Sequence, residues 1–247
     1  MNAGDCAGAL RRRACAAVQA VLAKTGFRVV AADALGPRLA ATVTGRQIAF
    51  PPAGVADRVV ALRPLRATDA AVLSGFTAQP PAAWLDEQAT LNEAGLALDL
   101  AVVERVSGAM VGLVQLQRFD WPNHRASVGL WLQREARGQG LMTHALTLLV
   151  AWVFEEGLLD RIEYLAQTDN TLSMRLAERC GFIREGELRS CLVMDRCRHD
   201  AVLLAALRGE WQAPDEIEMP AHGQDSPGEP QKLGTLTRPR GGREGRG

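Results

Sequence analysis

Two periods alternate along the second half of the chain. Residues 128–132 form an apolar run of strand length, and residues 141–154 place Leu141, Ala145, Leu148, Leu149 and Trp152 at helical spacing before Gly157 ends the pattern. Residues 161–167 return to strand-like alternation. A polar run, Thr168-Asp169-Asn170-Thr171-Leu172-Ser173, opens a second helix over 172–179, and Gly181 supplies the left-handed residue that closes it. Two further strands are expected over 182–193 and 198–207. Upstream, residues 59–65 read as a strand and Thr68-Asp69 as a helix cap. A turn at Gln79-Pro80-Pro81 then leads into another helix before Gly95.

The ends of the chain follow other rules. Residues 8–24 fit an amphipathic helix, and short strands are expected over 27–31, 38–44 and 47–50, separated by Gly36 and Gly45. Residues 212–247 are rich in Pro, Gly and charge with few apolar side chains. They cannot offset chain entropy by burial and are expected to be disordered. The division is an extension over 1–57, a main domain over 58–211 and a tail over 212–247.

Composition acts mainly by exclusion. At 247 residues and 47% hydrophobic content, the chain can bury the core of one α/β domain with an appendage. Its 28 basic residues balance 28 acidic ones, so neither a nucleic-acid partner nor an anionic membrane is supported. The first 57 residues carry a basic excess, which fits either an acidic partner surface or a solvated face. The five cysteines (Cys6, Cys15, Cys180, Cys191, Cys197) include no Cys-x-x-Cys pair and read as structural thiols in a reducing cytoplasm. Cys191, Cys197 and His199 lack the second half of a metal site, so no metal is expected. No run reaches the roughly twenty apolar residues that span a bilayer. A monomer or a homodimer is expected.

Candidate chemistry concentrates at Arg137-Gly138-Gln139-Gly140-Leu141-Met142-Thr143, between the strand at 128–132 and the helix that follows. A glycine-paired turn there aims unpaired N–H groups at one point, beside the positive end of the helix dipole, and makes a seat for phosphate. The spacing does not match a nucleotide triphosphate loop or a dinucleotide fingerprint, since no lysine and no third glycine follow. A plain glycine turn is the other reading of the loop alone.

The ordered set of motifs resembles the GNAT superfamily of N-acetyltransferases: strand, Arg-Gly-Gln-Gly-Leu-Met-Thr, helix, strand, Asp169-Asn170-Thr171-Leu172-Ser173, and the run from Glu178 through Gly181-Phe182 to Gly186. Asn170 with Ser173, the Gly-Phe-x-x-Glu-Gly run from Gly181 to Gly186, and His199-Asp200 before the closing apolar strand are similar to the branch that acetylates ribosomal-protein N-termini. The resemblance covers about residues 59–211. It implies an α/β (α+β) fold, with a central mixed twisted sheet, one splayed parallel strand pair and flanking helices. A small N-terminal extension, one helix with a β-meander, precedes it.

The resemblance also implies acetyl-coenzyme A as cosubstrate. The main chain of Leu130 and Leu132 would meet its pantetheine arm. The N–H groups of Arg137, Gly138, Gln139, Gly140, Leu141, Met142 and Thr143 would hold its pyrophosphate. Asn170 would lie beside the pantetheine, and Ser173 would give a proton to the departing sulfur, although Asn170 also reads as a plain helix N-cap. Tyr164, the sole tyrosine, reads as a packing residue ahead of an acid. Two departures stand out. Glu135 occupies the position where the family loop begins with Gln or Arg, leaving Arg134 and Arg137 to supply positive field. Residues 190–194 lack a glutamate base that some relatives carry, so Glu187, Asp195, Asp120 and water are alternatives. Trp84 and Trp121, with Phe119 and Pro122, are expected to build the acceptor pocket. The acceptor is expected to be a protein or peptide N-terminus, with a small-molecule amine second. A non-catalytic acetyl-coenzyme A-binding module is a further alternative, and so is a nucleic-acid binder acting through the Arg-Gly run at 238–247.

Overall fold

The computed structural model describes residues 48–77, 79–194 and 197–214. The expected helix over 8–24, the strands over 27–31 and 38–44, the tail beyond 214 and Asp195 lie outside the described residues. Eight strands form one sheet: β1 (Val55–Ala56), β2 (Val60–Pro64), β3 (Ala97–Glu104), β4 (Met110–Asp120), β5 (Arg125–Leu132), β6 (Arg161–Gln167), β7 (Ile183–Met194) and β8 (Cys197–Leu207). Their order is β1-β2-β3-β4-β5-β6-β8-β7, and only β5 and β6 run parallel. This is the expected mixed sheet. The β3–β4 hairpin has no counterpart among the expected strands. Both strands are buried on two faces over most of their length, which removes the apolar–polar alternation that marks a half-exposed strand.

The helices are α1 (Ala70–Leu73), α2 (Pro81–Glu93), α3 (Leu141–Glu155) and α4 (Thr171–Arg179). Along β3 the side chains alternate between two cores. Leu98, Leu100 and Val102 join the larger one with Val114, Val128, Ile162 and Leu204 under α3 and α4. Ala101 joins a smaller one with Leu73, Trp84, Met110, Leu113 and Trp131 under α1 and α2. In α3 the buried set extends beyond the expected stripe to Leu146, Val150 and Val153, so the helix sits within the core and not merely on it.

Ile48 and Phe50, expected in a strand, are not in one. Both pack on the larger core, Phe50 edge-on to Trp152 with ring centroids 4.6 Å apart. At the other end of the domain, Gly181 holds φ 81° and Trp211 Nε1 donates to Cys180 O at 2.7 Å. A Cβ on Gly181 would lie 2.9 Å from that indole nitrogen, so both the dihedral and the close approach require glycine. Among the described residues no helix is long and apolar enough to cross a membrane.

Candidate active site

The parallel pairing is short. It runs from Arg125 opposite Arg161 to Val128 opposite Tyr164 and stops. Beyond that point β5 stays bonded to β4 as far as Leu132, and β6 stays bonded to β8 as far as Gln167, so the two strands diverge into a wedge. Gln133 donates its N–H to Val111 O, across to β4, at 2.8 Å. Because successive residues of a strand face opposite edges, the main-chain groups of Leu132 and Leu130 face the wedge. The Arg137 guanidinium meets Leu132 O there, at 3.2 Å from both Nε and Nη2.

The loop at the open end is built by its backbone. Residues Arg134–Ala136 make one 3₁₀ turn, Gly138 and Gly140 take left-handed φ values of 74° and 73°, and Gly140 is the N-cap of α3. The expected row of seven donors narrows here. Arg137 N–H closes onto Arg134 O (3.2 Å) and Thr143 N–H onto Gly140 O (2.9 Å), because tight turns flank the loop on both sides. The N–H groups of Gly138, Gln139, Gly140, Leu141 and Met142 remain, at the positive end of a 15-residue helix. The side chains of Leu141, Met142 and Thr143 are buried in the core. Gln139 Nε2 donates to Glu135 O at 2.9 Å, while Arg134 and Glu135 are exposed.

Across the wedge, the Asn170 side chain accepts the Ser173 N–H at 3.1 Å as the N-cap of α4. Ser173 Oγ lies 2.6 Å from Tyr164 Oη, and Tyr164 belongs to the last register pair before the strands part. The structure therefore joins Tyr164 to Ser173 at the apex of the wedge. Burial pushes the Tyr164 phenol up to about 12, despite the lowering effect of the Ser173 bond, so the hydroxyl keeps its proton at neutral pH. Cys180 lies behind it, Sγ to Thr143 O at 3.6 Å, and burial raises its thiol to about 12 as well. A thiol so shielded is a packing residue.

The expected acceptor residues come apart. Trp84 is 2% exposed and its ring meets Phe76 edge-on at 5.3 Å within the smaller core. It is a core side chain, the one buried residue of α2. Trp121 follows β4 at the closed end of the β5–β6 pair, stacked on Phe119 at 4.7 Å with Nε1 donating to Gly95 O at 3.1 Å. The aromatics that stand over the open half of β5 are Trp131 itself and Phe76, with centroids 5.4 Å apart.

Neither described carboxylate considered as a base lies at the apex. Asp120 pairs with Arg125 (3.0 Å), and Glu187 lies on β7 at 3.6 Å from Arg184. Asp200, part of the His-Asp pair, accepts the N–H of Ser190 (2.7 Å), which holds φ 53° inside a register shift of β7. Sequence reasoning passed over a different carboxylate. Asp99 is 1% exposed on β3, bonded by the amide of Gln115 directly opposite on β4. Its signal is a lone charge inside the apolar run Leu98-Asp99-Leu100-Ala101-Val102. Among the described residues no group of three or more His, Cys, Asp or Glu is placed to hold a metal ion.

Comparison with known proteins bears on this geometry. The acetyltransferase (GNAT) domain profile matches residues 60–183, half of the chain and all of the wedge. The chain belongs to the GNAT acetyltransferase family. The class of reaction comes with the family: acetyl transfer from acetyl-coenzyme A to an amine. In Bacillus subtilis (strain 168), the protein named "Putative ribosomal N-acetyltransferase YdaF" is 34% identical over 131 residues, 52% of this chain and 67% of that protein. The ribosomal-protein-serine acetyltransferase of Escherichia coli (strain K12) is 31% identical over 98 residues, 40% of this chain and just over half, 55%, of its own length. Among solved structures, the ribosomal-protein-S5-alanine acetyltransferase of Vibrio fischeri shares the fold with a TM-score of 0.55 at 22% identity, covering 64% of this chain and 98% of that one.

Proposed function

We propose that this acetyltransferase acts on the N-terminal amine of a protein or peptide, and that the Tyr164–Ser173 hydroxyl pair at the wedge apex is its proton donor. The 2.6 Å contact between those hydroxyls, at the last residue of β6 paired with β5, carries the reading. The names of the two relatives above support the acceptor class.

The wedge fits acetyl-coenzyme A on structural grounds. Five backbone N–H groups around two left-handed glycines suit a pyrophosphate, and the main-chain edge at Leu130 and Leu132, which no neighbouring strand among the described residues pairs, suits an amide-bearing arm. When bound, the cosubstrate supplies an activated thioester carbonyl. Gly138, Gln139, Gly140, Leu141 and Met142 hold the phosphates by main chain alone. The main chain of Leu130 and Leu132 would hold the arm, with Arg137 giving up Leu132 O to it. Asn170 sets the first turn of α4 and so the position of Ser173. Ser173 Oγ–H would give its proton to the departing sulfur as Tyr164 Oη–H passes its own to Ser173, and the phenolate left on Tyr164 would be reprotonated from solvent before the next turnover. The acceptor ammonium loses its proton to water, since Asp120 and Glu187 are paired with Arg125 and Arg184.

The test is mass spectrometry of peptides carrying free or blocked N-termini, incubated with the purified protein and acetyl-coenzyme A. Acetylation of the free α-amine is expected, with none on the blocked peptide. Thiol release with small amines alone, at rates peptides do not match, defeats the acceptor assignment.

A further inference from the structure

The half of the sheet between the smaller core and the wedge carries a polar row. Asp99 on β3 stands directly opposite Gln115 on β4, and Gln115 directly opposite Gly129 on β5, so all three share the face that α1 and α2 only partly cover. Gly129 is the first residue of β5 past the end of its pairing with β6, and it puts no side chain between Gln115 and the wedge. Asp99 is sealed, whereas Gln115 is only half-buried. Gln115 Nε2 donates to Asp99 Oδ1. With the Asn92 amide turned to satisfy its neighbours, its nitrogen donates to Asp99 Oδ2 at 3.1 Å and to Ala97 O at 2.9 Å. Both carboxylate oxygens are thus occupied by amide donors. The orientation of Gln115 follows: with its nitrogen held by Asp99, its carbonyl oxygen is the group left for an incoming donor.

We propose that Gln115 binds the acceptor amine through Oε1, and that Asp99, anchored by Asn92, is the positioning residue that keeps that oxygen turned toward the wedge. The proposal rests on the N-terminal acetyltransferase reading and names the group that recognises its substrate. An amine or ammonium offers donors only, so a carbonyl oxygen welcomes it and an NH2 group repels it. An ionised Asp99 accepts from Gln115 and presents the oxygen. A protonated Asp99 donates to Gln115 Oε1 and presents the NH2 group instead.

Burial pushes the Asp99 carboxyl up to about 7, against the lowering effect of Gln115, so this exchange falls near neutrality. The charged groups around it are already engaged or distant. Arg63 on β2 faces the same side opposite Ala101, held by Asp69 at 2.7 and 2.8 Å, and Glu93 on α2 is exposed beside Asn92.

Steady-state kinetics with a free-amine peptide decide the matter. In the wild type the acceptor KM falls as pH rises from about 6 to about 8, while the KM for acetyl-coenzyme A stays level. Gln115→Ala raises the acceptor KM about tenfold, the cost of one charge-assisted hydrogen bond, with little change in kcat. Asp99→Asn keeps the shape and removes the carboxyl's titration, so its acceptor KM loses the wild-type slope and keeps only what the peptide amine's own ionisation at about pH 8 imposes, even if Gln115→Ala does not fold. A wild type with measurable turnover whose acceptor KM ignores pH, or an Asp99→Asn enzyme that keeps the slope, overturns this proposal alone. No turnover on any peptide amine, despite bound acetyl-coenzyme A, overturns the N-terminal acceptor reading and this one with it.

Discussion

On one face of the sheet α3 and α4 bury a continuous core that reaches from Val60 on β2 to Ala206 on β8. On the other, α1 and α2 cover a smaller cluster around Trp84 and Trp131, to which β6 and β8 contribute nothing. The first face is closed by apolar contact and carries the backbone cradle at its edge. The second keeps half-buried polar groups beside the wedge. The difference separates two tasks. Under the proposed function, a cosubstrate with a fixed shape would be held by main chain at the edge of the first face, and the acceptor would be met by side chains on the second.

The largest expected effect probes how little holds the second face together. Trp84→Ala removes the main side chain between α2 and the sheet and destabilises the protein by about 3–5 kcal/mol. Chemical denaturation measures it. An acceptor-site role predicts the reverse pattern, a raised acceptor KM at unchanged stability, so the experiment also checks the reassignment of this residue to the core.

Next come the apex hydroxyls. Tyr164→Phe and Ser173→Ala each lower kcat by about a hundredfold, the range of one general acid, and the double variant falls little further because the two act as a unit. Independent, multiplying losses would separate the two residues into different roles. Either variant should leave the thermal shift caused by acetyl-coenzyme A intact, since the cradle is backbone.

Much of the first face was legible in the sequence, and little of the second. The loop, α3, β6 and the Asn170 cap are contiguous, and each announces itself locally through glycine spacing, a helical stripe or an Asx residue before a helix. The assignment of Leu130 and Leu132 to the open edge follows from strand alternation once one strand is placed. The second face is assembled across the sheet. Asp99 and Gln115 are sixteen positions apart in sequence and meet only through the β3–β4 register. The Tyr164–Ser173 contact needs the middle of β6 and the start of α4 to be docked together. Trp84 misled because an aromatic near a turn carries no mark of whether its helix faces water or the sheet.

The cradle itself provides a sharper contrast. Gly140→Ala places a Cβ at φ 73°, which costs about 1 kcal/mol for the left-handed conformation, and crowds the N–H groups beside it. The dissociation constant for acetyl-coenzyme A rises about tenfold by calorimetry, the worth of about one cradle hydrogen bond lost when the turn shifts to relieve the added Cβ. Gln139→Ala, whose amide only ties down Glu135 O, changes it less than about twofold. Equal losses from the two substitutions would mean that side chains, not backbone, hold the phosphates.

The smallest effect tests whether the rigid face also steadies the cradle. His144, in the second turn of α3, places Nδ1 2.6 Å from Asp57 Oδ2, and Asp57 Oδ1 accepts the N–H groups of Val59 and Val60 at 2.7 Å each. One carboxylate thus ties the β1–β2 turn to the helix whose start forms the phosphate seat. Burial alone raises the Asp57 carboxyl, but the Val60 and Val59 N–H groups and His144 outweigh it and hold it below its ordinary value. A depressed carboxyl stabilises the fold above its unfolded pKa of about 4, and the contribution is lost as pH falls through the lower folded value. Asp57→Asn therefore costs about 1 kcal/mol at neutral pH, and the gap to wild type closes in acid. Thermal melts of both proteins across that range check the sign. A gap that widens in acid would place the stabilising charge on another group and leave α3 anchored by apolar contact alone.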